Sequence, residues 1–89
     1  MARATLLTIE RKAEVLDRLG LSRSTLHKKI QNGLWVPPIS LGARAVGFIK
    51  HETDDLITAH INGYTPTQMR DLVNRLMEER KGLIGVRHG

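Results

Sequence analysis

The chain has no cysteine. That excludes disulfides and thiolate metal sites. It also sets the chain apart from small secreted domains, which are usually rich in disulfides. No apolar run approaches the roughly 18 residues that a membrane span needs. The opening "MARATLLTIERK" lacks a long apolar h-region, so no signal peptide is expected and the cytoplasm is the default location. There is no internal repeat, no low-complexity segment, no Walker loop and no GxGxxG. The four histidines, His27, His51, His60 and His88, show no close metal-ligand spacing. Ser22, Ser24 and Ser40 lack a neighbouring His–Asp pattern. Nothing in the sequence provides a basis for catalysis, and neither cofactor nor metal is expected.

What is present is positive charge. Fourteen Lys and Arg against nine Asp and Glu give a net charge of +5, with a pI near 10.3. That balance favours a polyanionic partner. Eighty-nine residues make one domain, or one domain with an arm. Such a chain buries only about two-thirds of its unfolded surface, so the core is modest.

Periodicity gives the order of elements. "TIERKAEVLDRLG" reads as a first helix, with Ile9, Ala13, Leu16 and Leu19 sharing a face and Gly20 stopping it. Ser22 is a good N-cap for a second helix, Leu26 and Ile30 mark its inward side, and Gly33 closes it. "ISL" and "AVGFIK", joined by "GAR", read as a small hairpin. Gly47 inside the second run suggests a bulge or a close backbone approach.

A third helix is expected near Glu52, with Glu52, Asp54 and Asp55 favoured at its start by the helix dipole. Leu56, Ile57 and Ile61 supply its apolar contacts. Thr65-Pro66-Thr67-Gln68 starts a fourth helix with a capping box. Met69, Leu72, Val73, Leu76 and Met77 form its apolar stripe. "KGLIGVRHG" reads as a frayed tail.

The order is helix, turn, helix, hairpin, helix, helix. The fold class is mainly α with a small β-hairpin: a winged helix-turn-helix with an extra C-terminal helix. Its divisions are a winged DNA-binding domain over 1–62, a helix over 63–81 that packs on it or on a partner, and a flexible tail over 82–89.

At about 100° per residue, Ser24, Lys28 and Gln31 point away from the Leu26–Ile30 seam. Thr25 and Lys29 flank one edge, and Arg23 and His27 the other. This outward face is hydroxyl, amide, imidazole and ammonium. A major groove about 12 Å wide admits one helix, where Arg and Lys donate to guanine or phosphate and Gln pairs with adenine. The helix N-terminus at Ser22 also attracts phosphate.

The segment from Glu14 to Ile57 resembles the AlpA-type regulatory proteins of prophages and genomic islands, relatives of phage excisionases and of the MerR-like winged-helix group. "GLSRSTLHKKI" is similar to that family's first core block, and "GLWVPPISLGARAVGF" to its second. Val36 departs from an expected proline, His27 from tyrosine, Phe48 from tryptophan, and Leu56 from a second tryptophan. The resemblance implies that the second helix enters the major groove of double-stranded DNA while the hairpin wing lies along the backbone or minor groove.

Arg44 matches the family's wing arginine, and an Arg at a hairpin tip suits minor-groove insertion. Lys50, ending the second wing strand, is a weaker phosphate contact. The candidate DNA-binding residues are therefore Ser22, Arg23, Ser24, Thr25, His27, Lys28, Gln31, Arg44 and Lys50. The implied role is an excisionase, or recombination directionality factor, which assists an integrase at the bacterial nucleoid. The alternatives are a transcription regulator of an integrase or other promoter, and a protein-interaction module using the last helix. Self-association on adjacent sites fits the first role, and no membrane partner is expected.

Overall fold

The structure is a computed structural model that describes the backbone of residues 7–88 and the side chains of residues 7–82. A strand β1 (Ile9–Arg11) leads into helix α1 (Lys12–Leu19), and α2 spans Arg23–Gln31. Strands β2 (Ile39–Ser40) and β3 (Val46–Ile49) form the wing. Helices α3 (Lys50–Ile61) and α4 (Pro66–His88) follow. The result is a winged helix-turn-helix with a further C-terminal helix.

The three strands make one antiparallel sheet in the order β1-β3-β2. Glu10 pairs with Phe48 and Arg11 with Gly47 on one side of β3; Ile39 pairs with Gly47 and Ser40 with Val46 on the other. Gly47 is thus flanked on both sides. A Cβ there would lie 2.6 Å from Ile9 Cγ2, 2.9 Å from Leu41 Cδ1 and 3.0 Å from the Glu10 carbonyl oxygen. The expected close approach is real, and a side chain at 47 would displace the Ile9 and Leu41 side chains and crowd the Glu10 carbonyl.

β1 corrects the first-helix reading. Residues 9–11 find backbone partners in β3, so they are strand, and the helix begins at Lys12. Its inward residue is Val15, fully buried, with Leu16 and Leu19 packed beside it, whereas Ala13 is exposed. The period-2 alternation of the strand turns Glu10 inward, where it is 6% exposed. Arg18 of α1 compensates, its Nη1 donating to both Glu10 carboxylate oxygens at 2.7 Å.

Gly20, at φ +66°, makes the turn into α2 and donates to the Leu16 carbonyl at 2.8 Å. Ser22 then caps α2, accepting from the Thr25 amide at 3.2 Å. The wing tip closes where the Leu41 amide donates to the Ala45 carbonyl at 2.8 Å. Gly42 at the tip takes φ +150°, a conformation essentially reserved for glycine.

α3 starts at Lys50, before the expected acids, and Ile61 at its end is 78% exposed rather than packed. Leu56 is the buried anchor and Ile57 packs beside it. Glu52 stands in the first turn of α3, as expected, but it is buried there. It is 1% exposed, and the Arg80 guanidinium meets it with nitrogen–oxygen distances of 2.6, 2.9 and 3.1 Å.

α4 starts with the expected capping box: the Thr65 amide donates to Gln68 Oε1 at 2.9 Å and the Gln68 amide to Thr65 Oγ1 at 3.2 Å. Its backbone stays helical to His88, through most of the stretch 82–89 expected as a tail. Gly82 and Gly85 weaken a helix by about 1 kcal/mol each, and no proline follows to stop it.

The core joins Val15, Leu26, Trp35, Val36, Phe48, Leu56 and Ala59 to Met69, Leu72, Val73 and Leu76 of α4. Burying each larger apolar side chain contributes roughly 1.5–3 kcal/mol before entropy. Four α4 residues therefore contribute a large share of this small core.

Candidate nucleic-acid interface

α2 offers two opposite faces. Leu26 is 1% exposed and Ile30 packs against the core, which fixes the helix by its inner side. Ser22, Arg23, Ser24, Thr25, His27, Lys28 and Gln31 are all exposed. No acidic residue stands in the first turn, and none occurs in the helix. Three full cations and one imidazole are thus presented on nine residues without an internal counter-charge.

The exposed residues differ in their present bonding. Ser22 Oγ accepts from the Thr25 amide, donates to Thr25 Oγ1 at 2.9 Å and lies 3.3 Å from Ser24 Oγ. These three hydroxyls form a local network that stabilises the start of the helix. Arg23 and His27 border a groove of about 190 Å³ together with Lys12, Leu26, Ile30 and Pro38. This places the edge of α2 beside the start of α1 and the root of the wing. Lys12 has no sequence signal for this place, because the apolar period sets it inside a longer first helix.

Lys29 belongs to a different surface. It lines a cleft of about 330 Å³ with Arg18, Leu19, Leu21, Trp35, Ile57, His60 and Ile61. The His60 ring stacks on Trp35, with centroids 6.2 Å apart and planes at 21°. Burial lowers the His60 pKa below the ordinary imidazole value, and the charge of Lys29 lowers it further.

Arg44 stands on the exposed wing loop between β2 and β3. Lys50 does not end the wing strand, which stops at Ile49; it is the first residue of α3. Its ammonium lies 3.2 Å from Asp54 Oδ2. Asp54 also accepts from Arg18 Nη2. Partial burial pushes the Asp54 carboxyl upward, but the bonds from Arg18 and Lys50 outweigh it and hold the pKa below the ordinary value. Lys50 therefore carries a local counter-ion. The Arg18 pKa is raised, first by its bond to Glu10 and then by Asp54.

Two further arginines bear on this surface from α4. Arg70 Nε donates to the Asn32 carbonyl at 3.0 Å, at the end of α2. Arg80 Nη2 donates to the Pro37 carbonyl at 2.9 Å, at the root of the wing. Their partners lie 38 and 43 residues away in sequence, so no local signal announces them.

A helix-turn-helix whose outer helix is basic, followed at once by a wing carrying an arginine at its tip, defines the winged helix-turn-helix class. Residues 8–61, more than half of the chain, match the family described as prophage CP4-57 regulatory protein (AlpA), and the chain belongs to that family. It is a phage-related regulatory protein. No curated protein and no solved structure matches it. No helix among the described residues is long and apolar enough to cross a membrane.

Proposed function

We propose that the chain is a sequence-specific double-stranded DNA-binding protein of a mobile element. The observation that carries this reading is the outer face of α2. Arg23, Ser24, Thr25, His27, Lys28 and Gln31 are exposed together, without an acid, on a helix held to the core by Leu26 and Ile30. These are donor and acceptor types suited to base edges and phosphates in a major groove. The groove with Lys12 extends the basic surface toward the wing, where Arg44 adds a long cation suited to a narrow minor groove. Lys50, already opposite Asp54, is the weakest of the proposed contacts.

On DNA the protein acts either on a promoter, such as that of an integrase gene, or as a directionality factor that helps an integrase to excise the element. The family's description as a regulatory protein supports the promoter role. The excision role rests on the kinship of AlpA-type proteins with phage excisionases that the resemblance implies. Both use one surface, at the nucleoid, and differ in where that surface is bound.

The deciding experiment is footprinting on the element's own attachment sites and promoters, repeated over a salt series. Protection of a discrete site, with affinity falling steeply as salt rises, is the expected result, because each neutralised phosphate releases counterions. Protection at promoters alone assigns the regulatory role, and protection at the attachment site assigns the excision role. Uniform weak binding with no discrete site overturns sequence-specific recognition.

A further inference from the structure

We infer that α4 sets the placement of the wing relative to α2, with Arg70 and Arg80 as positioning residues for DNA recognition. This inference rests on the DNA-binding reading of α2 and the wing. The segment that joins them, residues 32–38, is the connection between the two proposed reading elements. Its middle is anchored by Trp35 and Val36, 1% and 0% exposed. Its two ends are held from outside, and both holds come from α4.

At the first end, Arg70 donates to the Asn32 carbonyl. That residue caps α2, where its amide bonds to the Lys28 carbonyl at 3.0 Å. The negative end of the helix dipole lies there, so a guanidinium is electrostatically favoured. The Arg70 stem also covers Gly33, with its Cγ 3.8 Å from the place a Cβ would occupy.

At the second end, Arg80 donates to the Pro37 carbonyl while the same guanidinium is oriented by the buried Glu52. Pro37 and Pro38 have fixed φ angles, so few soft torsions separate this carbonyl from β2 at Ile39. Fixing the Pro37 carbonyl therefore aims the wing.

Arg70 and Arg80 are ten residues apart, about 15 Å along a helix, and α4 acts as a brace between the two ends. Both holds grip backbone carbonyls, so the brace does not depend on the side chains at Asn32 and Pro37. α4 lies wholly outside the family-matched residues 8–61. The brace is therefore an addition of this chain to the unit that the match covers.

The chain's lack of cysteine permits a direct test. Nitroxide labels on Lys28→Cys and Arg44→Cys, both exposed, report the separation of α2 and the wing by pulsed electron resonance without DNA. One narrow distance is expected in the otherwise native chain. Arg70→Met, and Glu52→Met with Arg80→Met, should broaden or shift it while circular dichroism shows a folded protein. The paired replacement leaves no buried charge unpartnered. If it does not fold, Arg70→Met decides alone. Unchanged distance distributions in the folded variants overturn the inference.

A binding arm separates this outcome from failure of the DNA reading. On the specific site, Arg44→Ala should weaken native binding about tenfold, and less than about twofold in the brace variants. Lys28→Ala should cost the same in every background. A persistent tenfold Arg44 effect in the brace variants overturns the inference. If neither alanine change weakens native binding, the DNA reading fails, and the recognition role of the brace falls with it.

Discussion

Arg80 of α4 and Glu52 of α3 form a forked, largely buried ion pair, with nitrogen–oxygen distances of 2.6, 2.9 and 3.1 Å. Their side chains are only 11% and 2% exposed. Removing one partner of such a pair strands a charge in a low-dielectric site. Arg80→Ala should therefore destabilise the fold by about 3–5 kcal/mol, a large fraction of a small domain's total. Glu52→Met with Arg80→Met should recover much of that loss, because no charge is left behind. Urea denaturation of the three chains measures both effects. Equal stability of Arg80→Ala and the native chain would show that the pair carries no structural weight.

The outer face of α2 gives the second expectation. Arg23→Ala and Lys28→Ala should each cost about 1–3 kcal/mol of specific DNA affinity if the side chain reads a base edge. Neither residue is buried, so the melting temperature should stay near that of the native chain. Anisotropy titrations on specific and scrambled duplexes distinguish the two kinds of contact. A base reader loses affinity only on the specific duplex; a phosphate contact loses it on both. No change on either duplex, for both variants, removes them from the interface.

Arg44→Ala should weaken binding and leave stability unchanged, since the wing loop is exposed and packs little. Native affinity should fall linearly on a logarithmic salt scale, and the slope should shrink by about one in the variant. Lys50→Ala should change affinity less, because Asp54 already answers that charge. A larger loss from Lys50→Ala than from Arg44→Ala would reverse the ranking.

The sequence was legible where the signals are local. Ser22 and the Leu26–Ile30 spacing mark α2 because capping and burial there act across three or four residues. The Thr65–Gln68 box marks α4 for the same reason. The failures are non-local. Ile9–Arg11 are strand only because β3, some forty residues on, supplies their partners. Inside that strand Glu10 is a buried carboxylate held by Arg18, a pairing that no local pattern marks. Glu52 suited a helix start equally well, and its burial is apparent only with Arg80 beside it. Lys12 lies beside Arg23 and His27 because the first helix starts at that residue, which only the pairing of β1 with β3 determines.

Met69, Leu72, Val73 and Leu76 are between 1% and 6% exposed within the single chain. Leu72→Asp with Leu76→Asp places two carboxylates in that packing, each unpaired and desolvated. The double variant should melt far below the native chain at every protein concentration, as followed by circular dichroism. A stable folded monomer emerging from a native dimer would instead make α4 an oligomerisation arm.

The last expectation concerns acid. His60 stacks on Trp35 in the cleft that also holds Lys29 and Arg18. Its pKa in the folded chain is lowered from 6.5, by burial and then by Lys29, so the unfolded chain takes up this proton more readily. Stability should therefore be fully present above the unfolded value near pH 6.5 and be lost as pH falls through the folded value. His60 is open to solvent on one side, so screening keeps the effect small. His60→Gln cannot be protonated and should flatten this part of the pH profile. His27, His51 and His88 remain in both chains, so the difference between the two profiles isolates position 60. Parallel profiles from pH 7.5 to 5.0 would show that the proton on His60 does not act on the fold.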